Sequence, residues 1–415
     1  MTYFGELRSN ARGLVAASIG VGAGVYLLSY VSAVFSPHLV RAFGWSREQF
    51  ALLGISSIAV LFVTPVVGFA VDRFGPRKVA VIGVVGLPAV FVAASQLTGN
   101  FYMYMALMTV LLLCGMAASP VVYTRVVAER ITRARGLALT IIMSTPAVFG
   151  GLGSPLLQSF VQAYGWRTGY LAVAAFLAVG GGLALWLLPP SQPRDPLAVR
   201  SPRAPVAYGQ IFRNRAFWMI LIGLVLTTLP TTVHTSQATL MLLDNHLSST
   251  AAVGMLSVFA AGTLIGRIVC GVALDRFPAH LVVAISMGLP AIGLGILWSS
   301  WDAPVAIAVS MFLVGLSYGA EGDVVAFMVA RWFKVEVYSS VLGFMFAGVG
   351  AATAIGAILL AATLRQTHSY ALFLGISSAT VTIGSLLFLM LGRPVWEVEL
   401  EPVELEAQSP IPQAL

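Results

Sequence analysis

Arg267 stands in an apolar run, four residues before Gly271, with no other charge between Ser249 and Leu274. An ionisable group at membrane depth costs at least about 2.5–3.5 kcal/mol on insertion scales, so it faces a cavity or a partner. A guanidinium stays charged and offers a planar fork of donors, which suits a carboxylate better than an ammonium does. The alternative is a structural arginine snorkelling to an interface roughly 10 Å away at ~1.5 Å per residue. A second apolar run contains Gly319-Ala-Glu321-Gly322-Asp323. Residues i and i+2 project about 200° apart on a helix, so these acids cannot share one environment. Desolvation favours the protonated form of a carboxylate and a nearby arginine opposes it, so a cavity opening and closing around Glu321 or Asp323 would load and release a proton. A permanent ion pair with Arg267, Arg125 or Arg331 is the other reading. Tyr26 and Tyr30 lie one helical turn apart, and Tyr318 lies just before the two acids. The polar turn Thr231, Thr232, His234, Thr235, Ser236 and Gln237 should line water or a ligand, and an imidazole such as His234 is the group type that titrates near neutrality. Cys114 and Cys270 both lie in apolar runs, and the sequence shows no nucleotide loop, activated nucleophile, catalytic residue, cofactor motif or metal cluster.

The elements that must position these groups follow from composition. The chain has 415 residues, 58% hydrophobic and 9% charged, where a soluble domain carries roughly 25% charged residues. A helix that is apolar all round must face lipid or other helices, and about 20 such residues cross a bilayer. The 41 glycines and 21 prolines suit membrane helices, which pack through small residues and tolerate proline. Twelve spans are predicted near 14–38, 49–71, 79–97, 102–126, 137–160, 168–188, 216–243, 251–274, 281–299, 303–330, 340–364 and 369–391, an all-α membrane protein of two six-helix halves. The uncharged run from Gly13 to Val40 has no small-residue cleavage site, so it reads as a retained first span. Of the 23 Lys and Arg residues, only Arg41, Arg47, Arg167 and Arg365 fall on the outer connections, which puts both termini in the cytoplasm. The net charge of +7 is thus spent on topology and implies no nucleic acid. Residues 1–188 form the first half, 189–212 a proline-rich cytoplasmic linker, 213–392 the second half and 393–415 an acidic tail read as disordered. Arg125 and Glu129, four apart, read as a helix pair or a gate contact. Gly20 with Gly24 and Gly315 with Gly319 read as sites where helices approach closely.

The halves repeat. Gly68-Phe-Ala-Val-Asp72-Arg73-Phe74-Gly75-Pro-Arg77-Lys78 follows the second span, and Gly271-Val-Ala-Leu-Asp275-Arg276-Phe277 follows the eighth, at one offset of 203 residues. Duplicated halves with a site between them are a common transporter plan. The first segment resembles the loop signature of the major facilitator superfamily. That resemblance implies a charge cluster at the cytoplasmic face that stabilises the outward-open state. It assigns gating to Asp72, Arg73, Arg77 and Lys78, with Asp275 and Arg276 as weaker copies, because Pro278, Ala279 and His280 replace the glycine and basic residues. The plainer alternative is that these charges only anchor the loop.

Arg133-Ala-Arg135-Gly136-Leu-Ala138, Gly165-Trp166-Arg167 with Tyr170, and Gly44-Trp45-Ser46 resemble bacterial relatives of the monocarboxylate and oxalate transporters. In those carriers the position of Arg267 holds the arginine that binds substrate carboxylate. The aspartate they place four residues earlier is Thr263 here, and Tyr30 falls near a lysine of the animal carriers, so the usual proton site and a second cation are both missing. The resemblance implies a multi-pass transporter of the bacterial inner membrane, functional as a monomer. It would carry a small organic carboxylate with a proton or counter-anion. Arg267, Tyr26, Tyr30, His234, Gln237 and Tyr318 would form the binding site, and Glu321 and Asp323 the proton-coupling pair. Gly150, Gly151, Gly153 and Pro155 match only in part the motif of drug or metabolite efflux antiporters, the competing transport reading. A membrane enzyme using Glu321 and Asp323 as acid and base, and a ligand sensor without turnover, are the readings outside transport.

Overall fold

Apolar runs in lipid satisfy their backbone groups by coiling into helices, and the computed structural model is helical throughout its spans, with no strand among the described residues. These are 3–45, 56–189, 208–233, 241–242, 249–299 and 303–392. Most of the linker at 189–212, the acidic tail, His234 and Gln237 lie outside them.

Span 1 is a broken helix, Ala11–Gly22 followed by Leu28–Phe43, joined by a 3-10 turn over Val25–Leu27 and bent by 41°. Spans 2 to 6 are Ser56–Phe74, Pro76–Ser95, Phe101–Arg130, Arg135–Tyr164 and Trp166–Leu187. Spans 7 to 12 are Arg215–Thr228, Ser249–Arg276, Ala279–Trp298, Pro304–Trp332, Tyr338–Thr367 and Ala371–Leu389. Among the described residues nine helices are long and apolar enough to cross a bilayer, and the bent first span makes ten. The other two, Ser56–Phe74 and Arg215–Thr228, run towards residues outside the described set. Large apolar side chains such as Phe62, Leu156, Val179 and Ile358 are exposed on the outside of the bundle, as lipid-facing surface requires.

Two packing features position the site. Spans 8 and 10 dock through glycines: a Cβ on Gly262, Gly266, Gly315 or Gly319 would collide with a backbone carbonyl of the facing helix. Without side chains between them the two backbones touch, which brings Arg267 against the Gly319 carbonyl. The halves meet along two seams, span 2 against span 11 and span 8 against span 5. The turn after span 2 uses Gly75 at φ 86° and ψ 156°, a conformation essentially restricted to glycine. In the second half Pro278 opens span 9 at φ −55° instead. The second copy of the repeat therefore departs at a turn with a different backbone route, and the departure leaves the preceding aspartate in place.

Candidate functional site

A cavity of about 630 Å³ lies between the halves, walled by Tyr26 and Tyr30 of span 1, Met143 of span 5, Arg267 of span 8, and Tyr318 and Glu321 of span 10, with Phe346 of span 11 beside them. A second hollow of about 440 Å³, between Val258, Pro304, Val305, Ala308, Val309 and Phe312, offers no polar side chain and hence no chemistry.

The break in span 1 falls at Gly24, whose Cβ would strike the Ala118 carbonyl. Tyr26 thereby sits in the 3-10 turn and Tyr30 in the helix after it, yet both face the cavity. Arg267 spans the seam: Nε donates to the Gly319 carbonyl of its own half at 3.0 Å, and Nη1 donates to the Met143 carbonyl of the other half. Two of five donors are used, the residue stays partly exposed in the cavity wall, and it forms no ion pair among the described residues. Arg267 thus reaches the passage between the halves and does not snorkel away from it. The alternative reading, a fixed pair of Glu321 or Asp323 with Arg267, Arg125 or Arg331, is not met among the described residues.

The two acids of span 10 do occupy different environments, as their spacing requires. Glu321 lines the cavity and accepts from the Thr228 hydroxyl of span 7 at 2.5 Å. Asp323 is fully buried in the seam, where Oδ2 accepts from the Thr140 hydroxyl of span 5 at 3.1 Å. Its Oδ1 has no hydrogen-bond partner among the described residues. Arg267 lies within electrostatic reach of Asp323 without contacting it. Tyr318 stands within reach of both Glu321 and Arg267, and packs on Phe259 with ring centroids 5.7 Å apart.

The basic ends of the seams are held by two carboxylates, each at the start of a helix in the opposite half. Asp72 accepts from the amides of Ser339 and Ser340 at 3.1 and 2.7 Å, from the Ser340 hydroxyl at 2.5 Å, and pairs with Arg125, which also bonds Glu129 at 2.7 Å. Asp275 accepts from the amides of Gly136 and Leu137 at 2.6 and 3.1 Å. The 203-residue offset that relates the two aspartates also carries Gly136 onto Ser339 and Leu137 onto Ser340. Helix starts leave amides unpaired and carry partial positive charge, which an anion satisfies. Asp275 makes the same pair of amide contacts at a helix start as Asp72 despite its shorter motif, without the ion pair that Arg125 gives Asp72. Arg135, almost buried, adds a bond to the Ala330 carbonyl across the seam at 3.2 Å. Arg73, Arg77, Lys78 and Arg276 are exposed at this end and form no ion pair among the described residues, Arg73 lying over the Phe74 ring at 5.4 Å.

Sequence reasoning missed the segment that covers this end. The short helix Tyr3–Ser9 places Glu6 under the loop before span 5, where its carboxylate accepts from the amides of Thr132, Arg133 and Ala134 at 2.9 to 3.0 Å and from the Thr132 hydroxyl at 3.0 Å. Burial alone would raise the Glu6 carboxyl, but these donors hold it below the usual glutamate range. Tyr3 donates to Asp275 Oδ2 at 2.7 Å, and burial followed by that bond raises its phenol well above the ordinary value. The only signal in the sequence was a lone acid in an otherwise basic leader. Thr140 and Thr228 were missed for a similar reason: apolar helices contain many threonines, and only the fold selects the two that meet the acids.

A family model, that of the Major Facilitator Superfamily, matches residues 17–319 and 231–414. Human monocarboxylate transporter 11 is 25% identical over 431 residues, spanning 97% of this chain and 88% of that protein. A gallate transporter of Pseudomonas putida is 25% identical over 303 residues, 62% of this chain and 64% of that protein. Among solved structures, the fucose:proton symporter of E. coli superposes with a TM-score of 0.71 at 13% identity, covering 92% of this chain and 98% of that one.

Proposed function

The chain belongs to the major facilitator superfamily, and from that premise we propose that it is a secondary active transporter moving a small organic anion by alternating access, coupled to a proton or a counter-anion. Arg267 carries this reading: its guanidinium sits in the cavity wall, held by one backbone carbonyl from each half and by no carboxylate among the described residues. Relatives named for monocarboxylate and gallate transport support the class of cargo. Tyr26, Tyr30 and Tyr318 complete the proposed binding site from the cavity wall, and His234 and Gln237 are assigned to it on sequence grounds.

In this mechanism the incoming carboxylate takes over the Arg267 donors and competes with the Met143 carbonyl, which loosens the contact between the halves. Once the anion neutralises Arg267, Asp323 is left uncompensated in a dry seam, and an unpaired buried charge costs several kcal/mol. A proton on Asp323 restores neutrality, so anion and proton travel together; Glu321 is the second acid of the proposed coupling pair. With halves at 1–188 and 213–392, the linker at 189–212 and both termini, including the tail at 393–415, in the cytoplasm of a bacterium, the basic end faces inward. The closed seams at Asp72 and Asp275 then correspond to the outward-facing state in the inner membrane, with one chain sufficient for the cycle.

The test is uptake of radiolabelled organic acids into proteoliposomes by the wild-type protein and by Arg267→Ala. Losing two charge-assisted bonds at about 1.5–3 kcal/mol each predicts a fall on the order of 100-fold or more in a variant that still elutes as a folded particle. Unchanged carboxylate uptake by that folded variant would refute the assignment, and broad drug resistance without carboxylate uptake would favour efflux instead.

A further inference from the structure

The cavity holds one feature that a plain short-chain acid leaves unused. Besides Arg267 it exposes Glu321, an acid that forms no ion pair among the described residues and accepts a hydrogen bond from the Thr228 hydroxyl. Tyr318 stands within electrostatic reach of both, and Tyr26 of Glu321 and Tyr318, so cation, acid and phenols surround one space. A three-carbon carboxylate would satisfy Arg267 and leave Glu321 facing an empty, apolar-walled volume. A carboxylate can accept several hydrogen bonds and Thr228 supplies one; an under-satisfied polar group at membrane depth is costly, which favours a ligand that brings its own polar group to the second pole.

We propose that the cargo is a ring-bearing carboxylate with a hydroxyl group remote from the carboxyl, and that Glu321 is the residue that recognises this hydroxyl. The inference rests on the reading of Arg267 as the carboxylate site. Three properties of the cavity support it. Its volume of about 630 Å³ falls within the roughly 300–1,000 Å³ usual for pockets that enclose drug-sized ligands, well above what a three-carbon acid fills. Its walls carry the rings of Tyr26, Tyr30, Tyr318 and Phe346, flat apolar faces against which an aromatic ring packs. The third property selects hydroxyl over ammonium. A hydroxyl both donates and accepts, so it pairs with Glu321 whether that acid is ionised or protonated, whereas an ammonium loses its partner each time the acid takes a proton. In a carrier proposed to handle protons on span 10, a hydroxyl, unlike an ammonium, fits every stage of the cycle.

The experiment measures competition by benzoate, 3-hydroxybenzoate, 4-hydroxybenzoate and propionate against uptake of radiolabelled benzoate, using the full chain in proteoliposomes. Wild type should favour one of the hydroxybenzoates over benzoate by about tenfold or more, the loss expected when a site built to bond a hydroxyl meets an analogue lacking it. Propionate should compete more weakly than benzoate. Glu321→Met, which keeps the length and removes the polar head, should compress the hydroxybenzoate preference to within about twofold, read as the ratio of hydroxybenzoate to benzoate competition within that variant in counterflow of labelled benzoate, which needs no proton coupling. Glu321→Gln, which still bonds a hydroxyl, should retain most of the preference and controls for misfolding. Absence of hydroxyl preference in the wild type, or its survival in Glu321→Met, overturns the inference while leaving the carboxylate reading standing. If no carboxylate competes and Arg267→Ala changes nothing, both readings fail together.

Discussion

Asp275→Asn should open the basic end of the molecule nearly as far as Asp72→Asn does, although the sequence motif around Asp275 is the less complete. Asp275 accepts three bonds, from the Gly136 and Leu137 amides and the Tyr3 hydroxyl. Asparagine keeps one acceptor oxygen but turns an NH2 donor towards other donors, so at least two bonds weaken or vanish and the negative charge at the helix start is lost. Hydrogen bonds to charged groups are worth about 1.5–3 kcal/mol each, and charge at a helix terminus adds ~0.3–1 kcal/mol. A net loss of about 3 kcal/mol is a factor on the order of 100, enough to take a seam closed at roughly 99:1 to near parity. The assay is pulsed electron paramagnetic resonance between spin labels at Phe74 and Arg213, both exposed at that end, with Cys114 and Cys270 replaced by alanine. The expected result is a second, longer distance in Asp275→Asn at an amplitude comparable to that in Asp72→Asn. A distribution identical to wild type in Asp275→Asn, alongside a shift in Asp72→Asn, would refute the equivalence of the two contacts.

Asp323→Asn removes the proposed proton acceptor from the seam while keeping a side chain that accepts from Thr140, so it should abolish substrate-driven proton movement yet preserve exchange of labelled for unlabelled substrate. Pyranine-loaded proteoliposomes read the first and counterflow reads the second; intact proton flux would show that Asp323 is structural. For Glu6 the folded value lies below the ordinary 4.5, so the unfolded chain binds the proton more readily. The stabilisation is present above that ordinary value and is lost as pH falls through the depressed one. Wild type should therefore exceed Glu6→Gln in unfolding temperature at neutral pH, with the gap closing in acid, and a pH-independent gap would show that the carboxylate's ionisation contributes nothing.

Much of the architecture was legible because the bilayer imposes a coarse rule. Charge-free stretches of about 20 residues, at 79–97 and 168–188, announce the helices at 76–95 and 166–187, and the Asp72 and Asp275 repeat marks where the halves meet. The different surroundings of Glu321 and Asp323 followed from helical angle alone, since an i, i+2 pair must separate. What sequence could not give was register across helices. That Thr140 meets Asp323 and Thr228 meets Glu321 depends on how spans 5, 7 and 10 cross, and the glycines that set one such crossing, Gly315 and Gly319, indicate close approach without naming the partner. The matching amide contact of Asp275 was hidden for a related reason: its helix-start partners are backbone amides, which nearly every residue type supplies, so Gly136-Leu137 and Ser339-Ser340 hold an aspartate in the same way with no shared identity.

The partners of Arg267 bear on how such a device can turn over. Had the guanidinium been locked against Asp323 in a dry ion pair, an incoming anion would have to break that pair, and losing one partner of a buried pair costs about 3–5 kcal/mol. Backbone carbonyls are neutral acceptors that hold the fork without cancelling its charge, so an arriving carboxylate trades neutral bonds for charge-assisted ones, roughly twice as strong. One of the displaced acceptors, Met143, belongs to the opposite half, so the exchange that favours binding also removes a tie across the seam. The same placement leaves Asp323 near the guanidinium but out of contact, held by Thr140 of that opposite half. In the proposed cycle, binding energy at Arg267 would thereby act where the halves separate, and the charge left behind at Asp323 would make that separation depend on a proton.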